Sequence, residues 1–243
     1  MLGIDRKNIH TVTMPCFGTT KRTKSNAEKL AEAYNVSFEE INITAAVRQH
    51  FIDIKHDESV TDITYENSQA RERTKILMNL SNKYGGLVIG TGDLSELALG
   101  WATYNGDHMS MYAVNVSIPK TLVRYLTAYE AEISDGELKT VLLDVLDTPV
   151  SPELLPPDKN GEIAQKTEDV VGPYELHDFF LYYFVRFGFT PSKIYYLAKR
   201  SFAEKYNNDT IKKWLVTFLK RFFSQQFKRS CLPVSYTHLT LPT

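Results

Sequence analysis

The sequence lacks the features that mark secreted, zinc-binding or membrane-spanning proteins. It has two cysteines in 243 residues, Cys16 and Cys231, which form neither a disulfide framework nor a metal-ligand spacing. It has no apolar run long enough to cross a bilayer and no signal peptide at its start. Its formal net charge of -1 gives no overall field that would attract nucleic acid or an anionic membrane. We therefore expect a cytoplasmic protein with neither a nucleic-acid nor a membrane partner.

What the chain does contain is an alternation of strand-like and helix-like segments. In the first half, β-branched or apolar runs predict strands, and apolar residues at helical spacing predict the helices between them. Strands are predicted at residues 9–15, 38–43 and 87–90, and helices at residues 25–34, 65–83 and beyond Thr44, which serves as an N-cap. This alternation predicts an α/β fold with a doubly wound parallel sheet. The second half is predicted to be helical, at residues 119–131, 174–187, 191–199 and 209–227.

The segment at residues 90–107 carries the clearest chemical signal. It follows a predicted buried strand, and open α/β sheets bind ligands beyond the carboxyl ends of their strands. Carboxylates placed there can hold a magnesium ion that bridges phosphates, and aromatic faces can stack on a heterocycle. The segment therefore predicts a nucleotide site. Its polar and aromatic members are Thr91, Asp93, Glu96, Trp101 and Tyr104.

The residue sequences of this segment and of five others resemble the synthetase domain of glutamine-dependent NAD synthetase. The other segments are residues 65–74, 116–125, 147–156, 162–168 and 222–230. The resemblance extends to about residue 233, so residues 1–233 are interpreted as a partial NAD synthetase domain. It implies a fold of the adenine nucleotide alpha-hydrolase-like (ATP pyrophosphatase) type, with its first strand missing from this chain and a helical C-terminal part.

The resemblance also implies a reaction. ATP, with magnesium, would adenylate the nicotinate carboxylate of deamido-NAD, and ammonia would then displace AMP to give NAD. The ammonia would come from glutamine by way of a glutaminase domain that is not in this sequence. A homo-oligomer is also implied.

Residues of this chain that match the family's site positions fall into three groups. Catalytic positions are matched by Asp107 and Lys120, and the magnesium ligand by Glu96. Contacts to deamido-NAD are matched by Asn67, Arg71, Trp101, Ala102, Thr103, Tyr104 and Lys228. Contacts to ATP are matched by Thr91 and Lys120, with Thr19 and Arg22 in the loop after the first remaining strand as further candidates.

Several of these residues also have a purely structural interpretation. Glu96 could be a solvated helix residue, Thr91 a helix N-cap, and Trp101 part of the core. Lys228 could be one more basic residue of an amphipathic helix, whose polar face is predicted to include Arg221.

Both ends of the sequence depart from the family. The Ser-Gly-Gly-x-Asp-Ser loop that holds the ATP phosphates does not occur in this sequence, so the chain by itself is expected to be inactive. Residues 234–243 match the translation of a common sequencing adapter and are expected not to be native.

Alternative functions remain open at this point. The chain could be a nucleotide-binding module without catalysis, or another ATP pyrophosphatase such as a GMP synthetase. The residue sequence at positions 101–104, with its two aromatic residues, argues against a GMP synthetase. A basic helix at residues 212–229 that binds RNA or membrane is disfavoured by the near-neutral charge.

Overall fold

The computed structural model describes residues 5–151, 154–156 and 167–232. The described residues within Met1–Ile76 and Arg124–Lys166 form one compact unit, and those within Leu77–Val123 and Thr167–Thr243 form a second. The helices are α1 (Lys21–Ala33), α2 (Thr44–Ile54), α3 (Ile63–Tyr84), α4 (Leu94–Leu99), α5 (Lys120–Ile133), α6 (Gly136–Asp147), α7 (Thr167–Val171), α8 (Tyr174–Leu181), α9 (Pro191–Ser201) and α10 (Asn208–Ser224). The strands are β1 (His10–Thr13), β2 (Ser37–Glu40), β3 (Ile89–Gly90) and β4 (Tyr112–Ala113).

The first unit contains one parallel strand pair. Strands β1 and β2 run in register, with Thr11 opposite Phe38, and α1 is the crossover between them. A parallel pair needs such a crossover because its two strands start at the same edge of the sheet. The helix begins at a cap, where the Thr20 hydroxyl accepts a hydrogen bond from the backbone N–H of Thr23 at 3.3 Å.

An aromatic cluster forms the core of the first unit. Tyr65 of α3 and Phe51 of α2 are 2% exposed, and their ring centroids lie 5.5 Å apart. Phe17, from the loop after β1, places its ring 5.3 Å from that of Tyr65. These contacts hold α2, α3 and the loop together, so burial of apolar area supplies the main stabilisation here.

The second unit contains the other parallel pair and most of the helical part. Strands β3 and β4 pair over two residues each, and α4 follows β3 after a short turn. The helices α8, α9 and α10 bury a core that includes Leu176, Phe180, Ile194, Ile211 and Phe218, none of them exposed. The chain then continues from α10 into a short 3₁₀ helix, Gln226–Cys231.

The strands and most of the helices confirm the predicted pattern, with parallel pairing throughout the described sheets. Four local details differ from the predicted pattern. The strand at residues 87–90 was predicted to be buried, but Leu87 and Ile89 are 57% and 51% exposed, because β3 pairs only with β4 among the residues described. Helix α1 begins at Lys21 rather than 25, because Thr20 caps it. Thr44 is the first residue of α2 and not its cap. The helix α6 and the short elements α7 and β4 were not predicted. Across the residues described, no helix combines the length and apolarity that a membrane crossing requires.

Candidate active site

The turn after β3 places two carboxylates side by side. Asp93 is the N-cap of α4, and its side chain accepts a hydrogen bond from the Glu96 backbone N–H at 2.9 Å. Glu96 Oε2 in turn accepts one from the Asp93 backbone N–H at 3.0 Å. This reciprocal capping box fixes both side chains at the carboxyl end of β3. Because Asp93 is the cap, the alternative in which Thr91 caps the helix was wrong; Thr91 is exposed beside the turn.

Lys120, the first residue of α5, lies between the two carboxylates. Its Nζ is 2.6 Å from Asp93 Oδ2 and 2.7 Å from Glu96 Oε1. The side chain of Asp93 is 2% exposed, that of Lys120 16% and that of Glu96 24%. Glu96 is therefore not the solvated helix residue of the structural alternative. One ammonium facing two largely buried carboxylates leaves the cluster with a formal charge of one negative unit.

The burial of this cluster perturbs its acid–base properties. Burial, and then the neighbouring Asp93 carboxylate, raise the pKa of Glu96 against the attraction of Lys120. Burial lowers the pKa of Lys120, but the two carboxylates outweigh it, and the pKa lies above its ordinary value. Lys120 therefore stays charged at neutral pH. In the part of the chain that the structure describes, no group of three or more His, Cys, Asp or Glu residues could hold a metal by itself.

A buried aspartate fixes the backbone on which Lys120 sits. The Lys120 backbone N–H donates to Ser95 Oγ at 2.8 Å, and the Ser95 hydroxyl donates to Asp178 of α8. Asp178 also accepts hydrogen bonds from the backbone N–H and the hydroxyl of Thr121, at 2.9 and 2.7 Å. Burial raises the pKa of Asp178, although these hydrogen bonds favour its charged form. The network joins the starts of α4 and α5 to α8, so Ser95, Thr121 and Asp178 position Lys120.

The loop after α4 carries the predicted dinucleotide contacts. Asp107 is exposed, and its Oδ1 accepts a hydrogen bond from the backbone N–H of Thr103 at 2.7 Å. Lys228 Nζ donates to the carbonyls of Gly100 and Ala102, at 3.0 and 2.7 Å. Thr103 is buried and Ala102 half-buried. The structure thus brings these predicted residues together in the second unit, with Lys228 bound to main-chain oxygens.

The two aromatic residues of this loop are half-buried rather than part of the core. The guanidinium of Arg221 lies over the ring of Trp101, with its Cζ 5.3 Å from the centroid. The ring of Tyr104 lies 5.4 Å from that of Phe227. Each ring is therefore held on one side by a residue from the end of α10 or the segment after it. Arg221 was wrongly placed on the polar face, since it is half-buried.

The predicted residues of the first unit have partners of their own. Thr19 Oγ1 accepts a hydrogen bond from the Cys16 backbone N–H at 3.2 Å. Arg22 of α1 pairs with Asp144 and Asp147 of α6, with its NH2 3.2 Å from Asp147 Oδ2. Hydrogen bonds to these carboxylates raise the pKa of Arg22 above its ordinary value. In this structure, then, the Arg22 guanidinium links α1 to α6.

Asn67 and Arg71 lie one turn apart on α3, within the first unit. Asn67 is half-buried and Arg71 exposed. A spacing of four residues puts both side chains on one face of the helix, which suits contacts to a single ligand.

Residues 2–210 match the family model described as NAD synthase. The chain belongs to the NAD synthase family. It is 43% identical over 255 residues to a glutamine-dependent NAD(+) synthetase from Mycobacterium leprae, an alignment that covers 95% of this chain and 37% of the relative. The chain thus spans a little more than a third of the length of that curated relative.

Solved structures confirm the fold class. The glutamine-dependent NAD(+) synthetase from Cytophaga hutchinsonii superposes with a TM-score of 0.68 at 22% identity, over 90% of this chain and 34% of that one. The synthetase from Acinetobacter baumannii in complex with ADP gives a TM-score of 0.50 at 25% identity, over 88% and 36% of the two chains. The fold is the adenine nucleotide alpha-hydrolase-like α/β fold that the family resemblance implied.

Several residues that shape this candidate site were not predicted from the sequence. They are Ser95, Thr121, Asp178, Arg221 and Arg229, all of which act through backbone or side-chain contacts in the second unit. One available signal was Asp178, which directly precedes the apolar and aromatic run at residues 179–184. A charged residue that is buried with such a run requires a partner.

Proposed function

We propose that this chain carries the synthetase site of an enzyme that amidates deamido-NAD to NAD at the expense of ATP. The observation that carries the proposal is the cluster of Asp93, Glu96 and Lys120 at the carboxyl end of β3. It stands next to an aromatic loop, in a chain of the NAD synthase family. This edge of a parallel sheet is where α/β folds bind nucleotides.

The carboxylates fit a magnesium ion that is shared with phosphates. Magnesium commonly takes one or two protein carboxylates and leaves its other positions to phosphate and water, and this site offers two carboxylates held by a capping box. Glu96, with Asp93 beside it, would hold the ion. When bound, magnesium would neutralise phosphate charge. The Acinetobacter baumannii relative was solved with ADP, which supports ATP as the nucleotide.

Lys120 is proposed as the catalytic cation. Its ammonium remains protonated, since its pKa lies above the ordinary value, and its backbone is fixed through Ser95 and Asp178. In the first step a carboxylate oxygen of deamido-NAD attacks the α-phosphorus of ATP, and pyrophosphate leaves. An ammonium that leaves the two carboxylates and lies beside the phosphates stabilises the negative charge of the transition state and of the departing pyrophosphate.

In the second step ammonia attacks the acyl carbon, and AMP leaves with the bonding pair while the nitrogen loses a proton. Asp107 is proposed as the catalytic carboxylate of this step. It is exposed, and the Thr103 N–H orients it. Thr103, Ala102, Trp101 and Tyr104 are proposed to contact deamido-NAD, the two rings by stacking.

The remaining assignments complete the proposal. Asn67, Arg71 and Lys228 would also contact deamido-NAD, and Thr91, Thr19 and Arg22 would contact ATP. To contact ATP, the Arg22 guanidinium would have to break its ion pairs with Asp144 and Asp147. We further propose that residues 1–233 form the synthetase domain of a cytoplasmic homo-oligomer supplied with ammonia by a glutaminase domain. Residues 234–243, proposed not to be native, lie outside the described residues.

The test is binding of deamido-NAD to the 243-residue chain, followed through the fluorescence of Trp101. A Trp214→Phe variant makes Trp101 the only tryptophan, since the sequence has two. We expect deamido-NAD to quench this emission in the presence of ATP and magnesium, and xanthosine monophosphate, the nucleotide of a GMP synthetase, to leave it unchanged. Quenching by xanthosine monophosphate alone would contradict the proposal.

Turnover is tested separately, because the chain can bind deamido-NAD without converting it to NAD. The chain is incubated with deamido-NAD, ATP, magnesium and ammonium chloride, and NAD is measured by coupled reduction. The proposal expects binding with no turnover in this chain and turnover once the Ser-Gly-Gly-x-Asp-Ser loop is supplied upstream in the same polypeptide. Binding without turnover in that longer polypeptide would instead favour a non-catalytic nucleotide-binding module.

A further inference from the structure

The C-terminal end of α4 is bound by three cationic side chains from the last part of the described chain. Arg229 NH1 donates to the carbonyl of Leu97 at 3.2 Å, and Arg221 Nε donates to that of Leu99 at 2.9 Å. Lys228 completes the set on the carbonyls of Gly100 and Ala102. A set of main-chain oxygens that the helix cannot satisfy by itself is thus satisfied by residues more than a hundred positions away.

Most of these carbonyls need partners because they belong to buried residues. Residues 97–100 are buried, and an unsatisfied buried carbonyl is costly. The helix ends at Gly100, whose φ of 59° is left-handed, and a Cβ there would lie 2.2 Å from the Cβ of Gln225. The end of α10 therefore lies directly against the end of α4, and glycine is the residue that permits the approach.

The three cations are themselves partly removed from water. Burial lowers the pKa of Arg221 and of Arg229, and burial followed by repulsion from Arg221 lowers that of Lys228. Within residues 5–151, 154–156 and 167–232, none of the three has a carboxylate within 4.0 Å. The carbonyl oxygens, at the negative end of the helix, supply the compensating interaction. Moving any of these side chains would leave carbonyls at the end of α4 without their donors.

The same segment touches both aromatic rings of the loop that follows. Arg221 lies over Trp101, and Phe227 packs on Tyr104. We propose that Arg221 is a positioning residue that sets the pose of Trp101 for stacking on the dinucleotide, with Arg229 securing the helix end from which the loop departs. The role in ligand binding rests on the proposed function; the positioning of Trp101 itself does not.

The two arginines have separable effects. Arg221 contacts main-chain oxygens and the ring of Trp101, whereas Arg229 contacts main-chain oxygens and the ring of Phe222. Substituting either one with a neutral residue should loosen the end of α4, but only substitution of Arg221 removes the group that covers Trp101. A lysine at position 221 keeps the charge but lacks the planar face and the fork of donors.

The experiment measures acrylamide quenching of Trp101 in the Trp214→Phe background of the 243-residue chain. Arg221→Gln is compared with Arg221→Lys and with Lys220→Gln, a change of the same charge at an exposed neighbouring position. We expect Arg221→Gln to expose Trp101 and to weaken deamido-NAD binding about two- to fivefold, the change that loss of one partly exposed cation–π contact produces. Lys220→Gln should change neither.

The lysine variant keeps the test decisive if Arg221→Gln does not fold. Arg221→Lys should preserve the circular dichroism spectrum and the melting temperature while Trp101 becomes more accessible to acrylamide. Equal quenching in Arg221→Lys and in Lys220→Gln would overturn the proposal. If Trp101 becomes accessible and deamido-NAD binds to none of the variants or their parent, the proposed function fails and the positioning of Trp101 stands.

Discussion

Replacing Lys120 by methionine should turn the carboxylate pair into a tight divalent-cation site. In the structure the Lys120 ammonium occupies the position between Asp93 and Glu96 that a metal ion would share. A divalent ion that binds both carboxylates must first displace this ammonium. Methionine has a similar length and an apolar end, so it removes the competitor and leaves the cluster with two negative charges.

The size of the effect follows from the two contacts. A hydrogen bond between charged groups contributes about 1.5–3 kcal/mol net, so the loss of even one of the two contacts weakens metal binding by about one to two orders of magnitude, which is the least change expected. We expect Mn²⁺, a spectroscopic substitute for Mg²⁺, to bind Lys120→Met tighter than the parent by at least that factor. Isothermal titration calorimetry and the loss of the free-ion electron paramagnetic resonance signal both measure it without substrate.

Stability gives an independent readout of the same change. Breaking a buried ion pair by removing one partner costs about 3–5 kcal/mol, so Lys120→Met should melt lower than the parent in the absence of metal. Mn²⁺ at a hundred times its dissociation constant should restore about 2.7 kcal/mol. Lys220→Met, at an exposed site, controls for the loss of charge.

Two results would refute this reasoning. One is Mn²⁺ affinity that is the same in Lys120→Met and in the parent. The other is metal binding that persists in Lys120→Met when Glu96→Gln is added, because that would place the ion away from the carboxylate pair. A drop in melting temperature without any recovery by Mn²⁺ would confirm the ion pair and reject the metal site.

Two further outcomes are expected from buried features of the second unit. Burial lowers the pKa of His177 to about 4 from its ordinary 6.5, so its neutral form is the folded one. The unfolding free energy should therefore fall by about 3 kcal/mol as the pH drops from 6.5 to 4, and urea titrations of His177→Gln should lack this component. Gly100→Ala should destabilise by about 2 kcal/mol or more in urea unfolding, since it meets both a left-handed φ and Gln225. Gly85→Ala, with a φ of 63° and no atom within 4 Å, isolates the backbone strain, and equal losses in the two variants would disprove the clash.

Local sequence signals predicted the part of the site that is built locally. The apolar run before Gly90 predicted a strand, and the polar and aromatic residues within the next fifteen positions predicted a nucleotide site at its end. The capping was not predicted, because Asp93 rather than Thr91 caps α4. The helix at Tyr174–Leu181 followed from its apolar content in the same way.

The rest of the site depends on contacts between distant residues, which periodicity does not report. Ser95 and Asp178 are 83 positions apart, and neither has a motif that requires the other. Arg221 shows the same limit. Its position on α10 predicted a solvent-exposed side chain, whereas its guanidinium in fact binds a carbonyl at the end of α4. Helix α6 was missed for a local reason, since it opens with Gly136, a poor helix former.

The shortness of α4 has a consequence for how the chain folds. Forming the first turn of a helix costs conformational entropy, which is offset only by the hydrogen bonds that further residues add. A segment of six residues adds too few of them, so it is not helical in isolation. Its N-terminal end is secured by Lys120 and Asp178, and its C-terminal end by Arg221, Lys228 and Arg229, all distant in sequence. Contacts between residues far apart in sequence form slowly, so we expect α4 to be among the last elements of the second unit to form during folding. Residues 93–102 would then acquire their site geometry only when the whole unit has closed around them.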